Sequence, residues 1–145
     1  MSYTIETHVH KNSANKVFDC VEQCVWYYAN GGTWATTSDG FKLTMGGSGT
    51  AGLLRFMSQD GQEAFFVAMG VHNYKPWVDI ITGLGNDVTG VKALPEYYND
   101  TNPPRVASRE SQRTSQSINS ITNRVISVNY TVAEGNNLKL DITIG

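Results

Sequence analysis

Thr44-Met45-Gly46-Gly47-Ser48-Gly49-Thr50 is a glycine-dense turn set between two segments that read as β-strands. Before it, Phe41, Leu43 and Met45 alternate onto one face; after Gly52, the run Leu54, Phe56 and Met57 begins another strand. The small residues between them let a backbone approach a ligand or a second strand closely, and they leave Ser48 as the first hydroxyl on show. A Walker phosphate loop needs the pattern G-x-x-x-x-G-K-[ST], and its lysine is missing here. A small neutral ligand fits the turn better.

The same period of two extends in both directions. Tyr3, Ile5, Thr7 and Val9 share one face of an opening strand. Ser58-Gln59-Asp60-Gly61 predicts a hairpin turn, with Asp60-Gly61 as its positive-φ pair, leading into a strand from Glu63 to Met69. Asn30-Gly31-Gly32 and Ser38-Asp39-Gly40 mark further turns. The one helical region runs from Asn86 to Asn99: Asn86 or Asp87 caps a short helix through Ala93 and Leu94, and Pro95 stops it while opening a second turn over Glu96, Tyr97 and Tyr98. Asp100-Thr101-Asn102-Pro103-Pro104 reads as a loop. The polar run Ser108 to Ser120 reads as an edge or two-sided solvated strand, with disorder as the alternative. A hairpin closes the chain, from Arg124 to Ala133, through Glu134-Gly135-Asn136-Asn137, to Leu138–Ile144. The fold class is mainly β (α+β), carrying a helix-loop-helix insert.

With 145 residues, of which 40% are hydrophobic and 17% charged, the chain suits one domain over 1–145 with a real core. Eleven basic and thirteen acidic residues give a formal charge of −2 with no basic run, which argues against nucleic acid and anionic membranes as partners. The opening Met1-Ser2-Tyr3-Thr4-Ile5-Glu6 shows no basic region followed by an apolar run, so a cytoplasmic address is expected. Cys20 and Cys24, four apart in one strand, stand roughly 13 Å apart and cannot bridge. A zinc site would need two further ligands at workable spacing, and the three histidines do not supply them, so neither metal nor cofactor is expected. Asn99-Asp100-Thr101 and Asn129-Tyr130-Thr131 fit the glycosylation sequon, and are expected to stay unmodified without a secretory signal.

No G-x-S-x-G elbow and no H-E-x-x-H metal motif is present. Carboxylates are plentiful, among them Glu22, Asp39, Asp60, Glu63, Asp79, Asp87, Glu96 and Glu110, but sequence alone does not pair them across strands as glycoside hydrolysis requires. His8 and His10 share one strand face, where a metal pair and surface decoration are the two readings. His72 and Asn73 stand apart, because Gly70-Val71-His72-Asn73-Tyr74-Lys75 ends an apolar strand and delivers them at its rim. The Asn73 amide both donates and accepts, which suits sugar hydroxyls and N-acetyl groups; a turn amide satisfying its own backbone is the plain alternative. Tyr27, Tyr28 and Trp34 could stack on a sugar ring or fill a core, with the core the better reading for Trp34.

Four stretches in order carry a family resemblance: Tyr28-Ala29-Asn30-Gly31-Gly32-Thr33-Trp34; Leu43-Thr44-Met45-Gly46-Gly47-Ser48-Gly49-Thr50; Gly70-Val71-His72-Asn73-Tyr74-Lys75 with Trp77 and Asp79-Ile80; and Tyr130 to Leu138. Together they resemble the fungal fruit-body lectins, over nearly the whole chain. The resemblance implies an actinoporin-like sandwich of two sheets joined by a helix-loop-helix, assembled as a homotetramer that binds glycans and catalyses nothing. It implies a site for the Galβ1-3GalNAc disaccharide at Ala29, Ser48, Gly49, His72 and Asn73, and a second for N-acetylglucosamine at Asp79, Ile80, Thr82, Arg105 and Gln116. Gln116 replaces a tyrosine usual in the family, and Pro76 and Val78 stand where arginine and cysteine are common, which implies a weakened or retuned second site. Two functions follow: a cytoplasmic lectin that defends a fungus against animals feeding on it, or a membrane-active protein of actinoporin type. Against the second, no basic, aromatic-rich amphipathic helix opens the chain.

Overall fold

The computed structural model describes residues 2–11, 17–26, 31–83, 85, 87–120 and 122–145. Ten strands occur in chain order: β1 Tyr3–Lys11, β2 Phe18–Trp26, β3 Gly32–Thr36, β4 Gly40–Met45, β5 Ala51–Ser58, β6 Ala64–His72, β7 Lys75–Ile81, β8 Ser115–Asn119, β9 Val125–Val132 and β10 Asn137–Ile144. Between β7 and β8 lie α1 Gly90–Ala93, a 3-10 turn over Leu94–Tyr97, and α2 Pro103–Glu110. One sheet has the order β3-β4-β1-β10-β9-β8 and the other β2-β5-β6-β7. Among the described residues only β1 and β10 pair in parallel.

The two sheets differ in burial because they face different neighbours. In the six-stranded sheet every second residue points inward, as Tyr3, Ile5, Leu43, Met45, Leu138, Leu140 and Ile142 do, while the other face meets solvent. The inner faces of β5, β6 and β7 answer with Leu54, Phe56, Phe65, Val67, Met69 and Val78. Their outer faces are apolar too: Leu53, Phe66, Ala68, Trp77 and Ile81 pack under Ala93, Leu94 and Tyr97 of the helical segment. This second core explains the near-continuous apolar runs in β5 and β6, and each fully buried Leu or Phe in it contributes about 1.5–3 kcal/mol.

Several local expectations need correction. The helix over α1 starts later than Asp87, because Thr89 is its cap, accepting from Lys92 N–H at 3.3 Å; Asn86 lies outside the described residues. The carboxylate of Glu22 on β2 fixes that start, taking Gly90 N–H at 2.6 Å and Val91 N–H at 3.3 Å. Of the pair Asp60-Gly61 only Gly61 has positive φ, at 72°; Asp60 shapes the turn with its side chain, accepting from Ser58 Oγ at 2.6 Å and Gln62 N–H at 3.0 Å. Asp100 to Pro104 is not all loop, since Asn102 caps α2 and the two prolines fill its first turn, where no N–H is needed. Ser108 to Glu110 therefore end a helix, and only Ser115–Asn119 forms the expected edge strand. A stretch with Ile118 as its one apolar residue carries no period by which helix and strand can be told apart.

Cys20 and Cys24 are free thiols, and burial raises both, Cys24 to about 12. His8 and His10 each face an acid instead of each other: His8 Nδ1 lies 2.8 Å from Asp39, which raises its pKa, and His10 Nε2 lies 3.6 Å from Asp141. Among the described residues no three His, Cys, Asp or Glu side chains gather as a metal site would need, and no helix is long and apolar enough to cross a membrane.

Candidate functional site

The turn after β4 and the turn after β6 are bound to each other. Asn73 and Tyr74 join β6 to β7 with φ of 48° and 67°, both left-handed, as a two-residue hairpin with this strand twist requires. Asparagine tolerates that geometry; a tyrosine there costs about 1–3 kcal/mol, and Tyr74 is 78% exposed, so burial does not offset the strain. Hydrogen bonds hold it instead. Tyr74 N–H donates to Ser48 Oγ at 3.0 Å, Gly49 N–H donates to the Val71 carbonyl at 2.8 Å, and Gln112 Nε2 donates to the His72 carbonyl at 2.7 Å. Gly49 has φ of 99°, which only glycine takes readily. With its oxygen accepting from Tyr74, Ser48 keeps its own proton for a further acceptor.

These turns form one wall of a cleft of about 490 Å³, lined by Trp26, Ser48, Gly49, His72, Asn73, Tyr74, Tyr98 and Arg109. Four of the residues named for the first sugar site meet here; Ala29 lies outside the described residues, as do Tyr27 and Tyr28. The aromatic wall is Trp26 stacked on Tyr98, with ring centres 4.6 Å apart and planes 2° from parallel, and Arg109 covers Tyr98 at 4.7 Å. Sequence reasoning placed no stacking role on these residues. Trp34 is partly buried against the main core, as expected, and its Nε1 donates to the Cys24 carbonyl at 2.8 Å.

Arg109 also sets the protonation of His72. Its Nη1 is 3.0 Å from His72 Nδ1, and a guanidinium only donates, so Nδ1 accepts and the ring proton sits on Nε2. Burial first, and then the Arg109 charge, hold His72 below the ordinary histidine pKa, opposed by Glu110. The Asn73 amide nitrogen is placed 3.4 Å from Nε2; two donors do not pair, so we assign the amide with its oxygen toward the ring, which turns its NH2 away from it. The first cleft thus offers donors from Asn73 and Ser48 beside an aromatic wall.

A second cleft of about 330 Å³ lies on the other side of α2. It gathers all five residues named for the second site: Asp79 and Ile80 from β7, Thr82 just after it, Arg105 from α2 and Gln116 from β8. Asn102, Pro104 and Ser108 of the helix segment, with Ile81 and Ile118, complete the lining. Asp79 is 7% exposed; Tyr97 OH donates to its Oδ2 at 2.6 Å, and Arg113 stands 3.7 Å from Oδ1. Burial raises its pKa, against the lowering effect of Tyr97, Arg113 and Arg105. Arg105 pairs with Glu96 and so is aimed before any ligand arrives. Gln116 Oε1 accepts from Ile80 N–H at 3.1 Å, joining the edge of one sheet to the edge of the other.

Pro76 leaves the ladder between β6 and β7 intact. Val71, its partner, directs its N–H to Thr50 and its carbonyl to Gly49, so the position of the missing donor faces away from β6. Two residues on, Val78 N–H donates outward to the Arg113 carbonyl at 3.0 Å. A further cleft of about 540 Å³ opens at the opposite end of the sandwich, with Lys11, Asp19, Thr37 and Asp39 around Phe18, Phe41 and Phe56; no motif in the sequence points to it.

The fungal fruit body lectin family model matches residues 1–142. Boletus edulis lectin is 46% identical over 143 residues, covering 98% of each chain. Crystal structures of Xerocomus chrysenteron lectin superpose with a TM-score of 0.94 at 46% identity for a methionine-substituted variant, covering 100% of this chain and 99% of the other. The wild-type form gives 0.93 at 44% identity, with both chains fully covered. With its two-sheet sandwich and paired clefts, the chain belongs to the fungal fruit body lectin family and is a carbohydrate-binding protein, not an enzyme.

Proposed function

We propose that the protein binds Galβ1-3GalNAc-type glycans in the first cleft and N-acetylglucosamine in the second. The observation that carries this reading is the convergence of Ser48, Gly49, His72 and Asn73 on one cleft, and of Asp79, Ile80, Thr82, Arg105 and Gln116 on another. In the first cleft, Gly49 lets a pyranose ring come close to the backbone. The Ser48 hydroxyl and Asn73 amide then hold its hydroxyls and acetamido group, and Trp26 and Tyr98 supply an apolar wall. In the second, the Asp79 carboxylate accepts from ring hydroxyls while Arg105 donates.

Both clefts are open and small, which suits weak binding at each site strengthened by multivalency, so we propose a homotetramer of single-domain subunits spanning 1–145. The same reading makes it a cytoplasmic protein of fungal defence that meets the surface glycans of an animal that eats the tissue.

A glycan array run on the wild type, Asn73→Ala and Arg105→Ala tests the assignment. Asn73→Ala is expected to abolish galactose-type binding and spare N-acetylglucosamine, and Arg105→Ala to do the reverse. Retention of each assigned specificity by its own variant would overturn the map.

A further inference from the structure

Tyr74 belongs to two clefts at once. On one side its ring borders the first sugar cleft, and on the other it borders a cleft of about 560 Å³ whose lining includes Lys75, Ser111, Gln112, Thr114 and Glu134. A tyrosine held in left-handed backbone at 78% exposure gains nothing from the core, yet its turn is tied down by Ser48 below and by Gln112 from the side. The result is an aromatic side chain on a hydrogen-bonded turn that lines both concave surfaces. We propose that a glycan longer than a disaccharide crosses this side chain, placing a further neutral saccharide residue in the cleft beyond Tyr74.

The chemistry of that cleft selects the ligand class. Its lining offers hydroxyls from Ser111 and Thr114, an amide from Gln112, and one charge of each sign from Lys75 and Glu134. A neutral ring carrying several hydroxyls finds donors and acceptors there, and no excess charge calls for a sialic acid or a sulfate. An apolar ring face lies naturally across an exposed phenol, which itself adds a hydroxyl at its far end. A peptide extending from the glycan is less well served. The adjoining edge of β7 has no backbone donor to lend, because Pro76 has none and Val78 N–H is already given to Arg113. Gln112, at φ of 52°, is the hinge of this arrangement, since it touches the His72 carbonyl of the first cleft while lining the cleft beyond Tyr74.

This inference rests on the galactose reading of the first cleft, and calorimetric titration separates the two. Wild type, Tyr74→Ala and the double variant Thr114→Val/Glu134→Gln are each titrated with three ligands: the Galβ1-3GalNAc disaccharide, neutral oligosaccharides lengthened from either end of it, and the disaccharide on a short peptide. The wild type is expected to bind one lengthened series about tenfold more tightly than the disaccharide. The double variant should keep the disaccharide affinity and lose that increment, and Tyr74→Ala should lose the increment as well. Disaccharide binding without any increment, or an increment that survives both variants, overturns the subsite alone. An increment seen only with the peptide conjugate assigns the cleft to the aglycone and also overturns it. Absence of disaccharide binding to the folded wild type removes both readings.

Discussion

The two clefts flank a single helix and are built by opposite means. The first is made of backbone: two turns with left-handed residues, laced by Ser48, Gly49 and Gln112, present side chains that are themselves half-exposed. The second is made of a buried charge, the Asp79 carboxylate, fixed by Tyr97 and Arg113 at the junction of two sheet edges. The helix serves both, because Arg105 and Arg109 lie one turn apart on it and reach into different clefts. Tyr97 links them further, its carbonyl accepting from Arg109 at 2.9 Å and its hydroxyl donating to Asp79. The contrast implies that mutations in the first cleft change binding with little effect on folding, whereas mutations in the second change both.

Asp79→Ala gives the largest expected effect. It leaves the buried Tyr97 OH without its acceptor and removes the ion pair of the more exposed Arg113, which costs about 2–3 kcal/mol and roughly 5–10 °C of melting temperature, together with loss of N-acetylglucosamine binding. Asp79→Asn sharpens the point: burial already disfavours the charged carboxylate, so the neutral isostere should recover most of the stability and little of the binding. Differential scanning calorimetry beside a binding titration reads both. Equal stability of wild type and Asp79→Ala would break the contrast.

Next comes Arg109→Leu, which frees His72 Nδ1 and unlocks its tautomer. Galactose-type affinity should drop by about tenfold, roughly 1.4 kcal/mol, with N-acetylglucosamine binding kept. The pH profile shows whether the effect runs through the histidine. Burial and the Arg109 charge lower the His72 pKa, so the ring stays neutral to more acid pH than an ordinary histidine and wild-type binding should hold through neutral pH and decline only in acid solution. Removing the Arg109 charge raises the His72 pKa, so the decline should begin at higher pH in the variant. A profile that does not move between the two proteins assigns Arg109 a purely steric role.

The smallest effect is expected from Gln116→Ala. It removes the acceptor for Ile80 N–H, at a cost of about 1 kcal/mol and a melting shift of roughly 2–4 °C, with a few-fold loss in the second cleft.

The first cleft was readable from sequence in a way the second was not, and the reason is range. Ser48-Gly49 and His72-Asn73 sit in turns whose residues announce themselves locally, one after the alternating strand β4 and the other at the rim of the apolar strand β6. Ile80 and Gln116 meet across 36 positions, and Asp79 looks like any surface acid until burial against Tyr97 is known; only the family resemblance put them together. Trp26, Tyr98 and Arg109 were not assigned to the first cleft for the same reason, since their stack joins the end of β2 to the helical segment. The hairpin over β9–β10 was legible because turn and alternation agree there, and the one over β5–β6 because Asp60-Gly61 divides two apolar runs. The helix over Pro103–Glu110 was not, because it buries no residue and so writes no apolar period.

Soaking one crystal of the wild type with the Galβ1-3GalNAc disaccharide and N-acetylglucosamine together tests the two-cleft account most directly. The account predicts the disaccharide against Ser48, Gly49, His72 and Asn73, and N-acetylglucosamine against Asp79, Thr82, Arg105 and Gln116, each on its own side of α2. Both sugars in one cleft, or either seated away from these residues, would contradict it.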